Sequence, residues 1–249
     1  MNSLFSSRAH PAAPPPDYGV QTYPKIKAWS YSLVQQHDKC PLSVRLSRID
    51  RLPQPDNEGQ SRGITAHKQV AEYIRSGERP EAFIPHPTWM TYFDTIRPFV
   101  PLVEQQYAFN KDWEPRDWWA PDVWGRTIVD AAHAEFGHQK TTAVIHEWKT
   151  GKVWPEHVKQ MRLYALAGML MYPAAYEVRV IIGYLDKSTG VREARTIGLF
   201  HRRLMGELKD EFAKFAQPLL NDDIYPARPN KFCGYCHFRK SNGGPCEHG

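Results

Sequence analysis

Residues 145–152 read IHEWKTGK and follow the apolar run TTAV at 141–144. On a strand, side chains alternate between faces, so Glu147 and Lys149 leave one face while His146 and Trp148 leave the other. A carboxylate and an ammonium then stand side by side. For these eight residues alone, a surface ion pair at a strand end explains the pattern equally well, and such pairs contribute little.

Working outward, DVWGRTIVDAAHAEF (122–136) and TTAVIHEWK (141–149) read as two strands joined around GHQK (137–140), a hairpin. VEQQYAF (103–109) is extended, which completes a three-strand meander, and the segment 87–100 before it looks helical. After the hairpin, PEHVKQMRLYALAGMLMY (155–172) has helical apolar spacing with Pro155 at its start. Strand-like YEVRVIIGYL (176–185) and VREARTIGLF (191–200) follow around a DKSTG turn, and a last helix spans about 202–217. Near the N-terminus, Ser30 is a suitable N-cap for a short helix that ends before Pro41, and RGITAHKQVAEYIRSG (62–77) forms a helix ending near Gly77. Its apolar face holds Ile64, His67, Val70, Ala71 and Ile74, which points His67 toward the core. The order of elements predicts a mixed α/β fold, a mixed central β-sheet flanked by helices.

The 249 residues suffice for one core, and residues 25–249 are expected to form a single domain after a Pro-rich mobile tail at 1–24. The tail lacks the apolar stretch of a secretory signal. No apolar run reaches the roughly 20 residues that span a bilayer; LYALAGMLMYPAAY (163–176) is interrupted by Pro173 and reads as a buried helix. A soluble, cytoplasmic protein is expected. The net charge of +5 leans toward a polyanionic partner without establishing one.

Asp130 ends the strand before the hairpin turn's partner, after the apolar pair Ile128 and Val129. A carboxylate there is costly to desolvate without a cation or hydrogen bonds. In the hairpin, Asp130 and Glu147 converge, and two oxygen donors beside Lys149 suit a hard divalent ion, Mg²⁺ or Mn²⁺. Such an ion acidifies a water and stabilises charge on a phosphoryl oxygen, which is the chemistry of phosphodiester hydrolysis. Gln160 and Tyr164, four apart, share one face of the next helix. In isolation a core tyrosine and a surface glutamine explain them, as a satisfied core histidine explains His67.

The ordered set His67, Asp130, EWK at 147–149 and QMRLY at 160–164 resembles the RecB-like branch of the PD-(D/E)XK nuclease superfamily, over most of the chain from WSYSLVQQHDKCPLSVRL (29–46) to Cys246. The resemblance implies a restriction-endonuclease-like core and a metal-dependent DNA exonuclease. It implies His67, Asp130 and Glu147 as metal ligands, Lys149 as the catalytic lysine beside Asp130 and Glu147, and Gln160 and Tyr164 as substrate-positioning groups. Glu104 matches the acidic residue often found on the preceding strand. Cys40, Cys233, Cys236 and Cys246 resemble the iron–sulfur clamp of the CRISPR-associated RecB-like and AddB-like exonucleases, which implies a 4Fe–4S cluster closing the fold as a C-terminal Cys-rich metal clamp. Residue spacing also permits a local Zn²⁺ site of Cys233, Cys236, Cys246 and His248, with Cys40 a buried thiol.

The expected partner is DNA, as single strands or strand ends. Trp113, Trp118, Trp119, Trp124 and Trp154 are candidates for base stacking, and Lys111, Arg116, Arg126 and Lys152 for phosphate contacts. Two other classes compete: a non-catalytic nucleic-acid-binding module on a nuclease fold, which predicts a degraded site, and a structural zinc protein, which leaves Asp130, Glu147 and Lys149 unexplained.

Overall fold

A computed structural model describes residues 21–54, 58–152, 155–186 and 195–248. Most of the expected N-terminal tail and Trp154 lie outside these. The sequence elements appear in the expected order. Helix α1 (Tyr31–Lys39) is capped by Ser30, whose Oγ accepts from the Leu33 N–H, and ends at Cys40; α2 (Pro41–Val44) runs into a π-turn at Arg45–Ile49. Then come α3 (Glu58–Ser76), stopped by Gly77 in the left-handed region at φ 80°, and α4 (Thr88–Ile96).

Strands β1 (Leu102–Phe109), β2 (Pro115–Arg116), β3 (Gly125–Phe136) and β4 (Thr141–Lys149) precede α5 (Glu156–Met171). β5 (Glu177–Tyr184), β6 (Arg195–His201) and α6 (Met205–Asn221) complete the core. The two-residue β2 was not expected, since it is too short for any periodicity. The last helix starts three residues later than expected, after a 3₁₀ turn at Arg202–Leu204, and runs past Pro218.

The six strands form one mixed sheet in the order β2-β1-β3-β4-β5-β6. Only β4 and β5 are parallel, because α5 carries the chain back across the sheet between them. Both strands are buried on both faces, which is why they read as near-continuous apolar runs. Helices α1, α5 and α6 cover one face, with Leu33, Leu166 and Phe212 in its core. Helices α3 and α4 cover the other, where Val70, Phe93 and Trp148 pack together. The helices therefore flank the sheet on both sides, as expected of a restriction-endonuclease-like core.

Gly125 is required by close approach: a Cβ there would meet the Phe109 ring at 2.4 Å and Trp29 Nε1 at 3.0 Å. Its tight fit seats the start of β3 against Trp29, whose carbonyl accepts from the Arg126 N–H at 2.9 Å. The two ends of the described chain are also knit together. Tyr23 N–H donates to the Asp223 carbonyl at 2.7 Å, and His37 Nε2 pairs with Asp222 Oδ2 at 2.7 Å.

Candidate active site

The β3–β4 ladder runs from Phe136↔Thr141 to Ala131↔His146 and stops. The next position in register would set Asp130 opposite Glu147. There the backbones part, and the Asp130 carboxylate takes over the missing rung: its Oδ2 accepts from the Trp148 N–H at 2.5 Å. On the other side of β3, pairing with β1 skips the position between Val103↔Ala131 and Gln105↔Val129, where Glu104 faces Asp130. Glu104, Asp130 and Glu147 thus form one row across three strands. Glu104 sits there at φ 53°, a conformation uncommon for any residue but glycine.

Around this row the remaining groups assemble. His67 Nδ1 lies 3.0 Å from Asp130 Oδ1. His67, Glu104 and Asp130 each place a donor atom within 4.8 Å of the others, the geometry of a metal-binding group. Glu147 Oε1 accepts from Lys149 Nζ at 2.5 Å and from Gln160 Nε2 at 3.5 Å, and Gln160 Nε2 also donates to Tyr164 Oη at 2.9 Å. The pair Gln160 and Tyr164 is therefore neither a surface glutamine nor a plain core tyrosine. It bridges α5 to the carboxylate row.

The electrostatics show what the row lacks. Burial, then the charge of Asp130, push Glu147 up to about 7 despite its ion pair with Lys149. Burial and the Glu147 charge raise Glu104 as well, against the attraction of His67. For His67, burial works against the charged form. The hydrogen bond and charge of Asp130, with the charges of Glu147 and Glu104, outweigh it and hold the imidazole at about 9. Burial, with the charges of Glu147 and Asp130, holds Tyr164 well above its usual range, so it remains a protonated hydroxyl. In this state the imidazolium is the cation that balances the acids. The two carboxylates and the imidazole of His67, Glu104 and Asp130, all O and N donors, fit a hard or borderline divalent ion, with Glu147 next to them in the row.

Residues 126–241 match the family model of the PD-(D/E)XK nuclease superfamily. Over this segment, just under half of the chain, the sequence is similar to the PD-(D/E)XK nuclease superfamily. The match takes in Asp130, Glu147, Lys149, Gln160 and Tyr164, while His67 and Glu104 precede it. Solved structures similar to the chain include one described as the crystal structure of SSO0001, at 14% identity over 90% of this chain and 88% of that one, TM-score 0.36. Two more are of the alkaline exonuclease LHK-Exo. Its complex with dAMP is 12% identical over 78% and 87% of the two chains, TM-score 0.38. LHK-Exo from Laribacter hongkongensis is 12% identical over 78% and 89%, TM-score 0.37. No curated protein matches the chain.

Expectations for the regions flanking this segment change at particular residues. On α3, Val70, Ala71 and Ile74 are buried as expected, whereas Ile64 is 62% exposed and Ala66 and Tyr73 join the buried face, so His67 stands at its margin and turns to Asp130. Trp113 and Trp124 pack against Trp29 and Phe109 in the core, which removes them from base stacking. Arg116 is engaged by Glu114 at 2.8 Å and Asp122 at 2.7 Å. No helix among the described residues is long and apolar enough to cross a membrane.

Proposed function

We propose that this chain is a metal-dependent deoxyribonuclease that hydrolyses phosphodiester bonds, working as an exonuclease on single strands or strand ends. The observation that carries the reading is the donor group of His67, Glu104 and Asp130 next to the 2.5 Å pair of Glu147 and Lys149. His67, Glu104, Asp130 and Glu147 would hold Mg²⁺ or Mn²⁺, which supplies charge stabilisation at the phosphoryl oxygen and a more acidic water. Lys149 holds a proton donor at the Glu147 carboxylate and orients the nucleophilic water there. Gln160 fixes the Glu147 carboxylate from α5, and Tyr164 keeps Gln160 aimed at it, so the pair positions the strand against these groups. Trp148, buried and packed on Trp89 and Phe93, holds the β4 backbone against Asp130. The biological setting consistent with such an enzyme is recombination, repair or phage DNA processing.

Residues 25–249 would form one domain, closed by a 4Fe–4S cluster on Cys40, Cys233, Cys236 and Cys246. Four thiolates are the usual ligand set for such a cluster. Supporting it, burial and the neighbouring Cys246, Cys40 and Cys233 raise the Cys236 thiol, so all four belong to one electrostatic neighbourhood. Asn230 Nδ2 donates to the Lys39 carbonyl at 3.0 Å beside Cys40, and the Asn230 N–H donates to Cys233 Sγ at 3.3 Å. The zinc alternative needs only the local C-terminal ligands and gives Cys40 no part.

The test is incubation of anaerobically purified protein with end-labelled single- and double-stranded DNA and Mg²⁺ or Mn²⁺, beside Glu147→Gln. Metal-dependent release of nucleotides by the wild type alone is expected. No cleavage by the wild type with either metal, or full cleavage by the variant, would overturn the nuclease reading. For the clamp, a brown protein that Cys40→Ser bleaches is expected; a colourless zinc protein indifferent to Cys40→Ser overturns the cluster.

A further inference from the structure

The carboxylate row is flanked by two clefts of different character. On the α3 side a hollow of about 530 Å³ is lined by residues of both signs, among them Lys68, Arg75, Glu72 and Glu104. On the α1 side a groove of about 720 Å³ begins at Gln160 and Tyr164 and runs between α1, β3 and the loop carrying Trp118. Three cations line it, Lys27, Arg48 and Arg126, and no carboxylate does. Among the described residues none of the three makes an ion pair, in contrast to Arg116 nearby.

Arg126 is the centre of this groove. Its guanidinium lies over the rings of Trp118 and Trp119, at 5.3 and 5.0 Å, and its buried Nε has no hydrogen-bond partner. The terminal nitrogens of such a guanidinium, which no carboxylate claims, suit paired contacts with phosphate oxygens. Trp119 does not line the groove itself; it stands at its edge between the lining residues Trp118 and Ala120, 80% exposed, an unusual state for an indole, with its ring beside the Arg126 cation. Ser30 and Ser32, at the N-terminus of the nine-residue α1, line the same wall, where helix N–H groups favour anions. Alternating cations, hydroxyls and an exposed aromatic face are what a flexible strand with phosphates outside and bases free to stack requires. A duplex keeps its bases stacked on each other and has no use for Trp119.

We propose that this groove holds the retained part of a single nucleic-acid strand, with Lys27, Arg48 and Arg126 on phosphates and Trp119 under a base, delivering the strand to Gln160 and Tyr164. The proposal rests on the nuclease reading for its substrate class and gives that reading a direction. The long strand lies on the α1 side of the carboxylate row, and the released piece leaves over the α3 side.

The test is fluorescence anisotropy of a labelled oligothymidylate with the full chain in EDTA, where no cleavage occurs. Lys27, Arg48 and Trp119 are all exposed, so their variants keep the fold, which melting curves check. Trp119→Ala is expected to weaken binding about tenfold. Arg48→Glu and Lys27→Glu should each reduce the slope of log K against log salt by about 1. Lys111→Glu controls for net charge, because Lys111 does not line the groove but the neighbouring cleft with Asp112 and Asp122, which meets the groove at Lys27.

Wild-type affinity and salt slope in all three groove variants would overturn the proposal, as would an equal loss in Lys111→Glu. Duplex binding as tight and as sensitive to Trp119→Ala would overturn the single-strand assignment. Because binding is read without metal, these outcomes are independent of the cleavage assay on Glu147→Gln, which alone decides the nuclease reading.

Discussion

Two faces of the same strand, β4, carry opposite chemistry. On one, Glu147 and Lys149 meet Asp130, Glu104 and His67 at the point where the sheet opens. On the other, His146 and Trp148 join a column of rings, Phe99 on His133 on His146 on Trp148, at centroid spacings of 4.5, 5.3 and 5.3 Å. The histidines make the contrast plain. His67, among carboxylates, is raised to about 9. His146, 1% exposed, is pushed well below its usual range by burial, then by His133, Arg179 and Arg195. One imidazole is held as a cation and the other as a neutral ring. Burial alone does not separate them; the company of acids does.

The sharpest way to break this division is to ask which face carries activity. Glu147→Gln or Lys149→Ala is expected to lower cleavage by about 10³-fold or more with little change in melting, since these groups act on the developing charge. Full activity in either variant would erase the distinction between the faces. Trp148→Ala should do the converse and destabilise by about 3–5 kcal/mol in urea unfolding, because it empties a fully buried indole site. A loss under about 1 kcal/mol would mean that the ring column is not the support it is taken to be.

A smaller effect sharpens the comparison between histidines. His67→Ala should weaken Mn²⁺ binding by about tenfold or more in titration calorimetry, whereas His146→Phe should leave it unchanged. The proton count gives an independent check. With folded-state pKa values of about 9 for His67 and about 7 for Glu147, both above their unfolded values, the metal-free protein binds extra protons when folded. Its stability from His67 is complete below about 6.5 and is lost as pH rises through 9. The penalty from Glu147 is absent below about 4.5 and grows as pH rises through 7. Metal binding near pH 8 should therefore release protons, seen as a dependence of the binding enthalpy on buffer ionisation. A release near zero would show that the metal does not displace the His67 proton.

The smallest effect concerns Glu104. Glu104→Gly should stay within about 1 kcal/mol of the wild type, since relief at φ 53° offsets the flexibility of glycine. Glu104→Val should lose about 1–3 kcal/mol, because a β-branched residue tolerates that conformation least. Equal stability of the two variants would place the strain elsewhere.

The sequence made the hairpin, the helix that follows it and the meeting of Asp130, Glu147 and Lys149 legible, because each rests on alternation or helical period along contiguous residues. Three features escaped it for physical reasons. The left-handed φ of Glu104 carries no glycine or asparagine signal and is imposed by the sheet. On α3 the exposure of Ile64 was not legible, because apolarity alone does not reveal which turn of a helix projects past its neighbours. Among the tryptophans, Trp113 and Trp124 are core and Trp119 is surface, and only the position of Trp29 and Phe109 in space sorts them.

The joining of the chain ends has a consequence for biosynthesis. His37 pairs with Asp222 across 185 positions, Lys39 is bonded by Asn230 across 191, and the Tyr225 hydroxyl donates to the Pro24 carbonyl across 201. Contacts of such separation cannot form until residues 222–230 have been made, while α3, the hairpin and α5 depend on nearer partners. Until α6 and the segment after it follow, α1 keeps Tyr31, Leu33 and Val34 without the cover of Phe212 and Phe215. A nascent chain of this protein can therefore bring its carboxylate row together before α1 is fastened from the far side of the sequence.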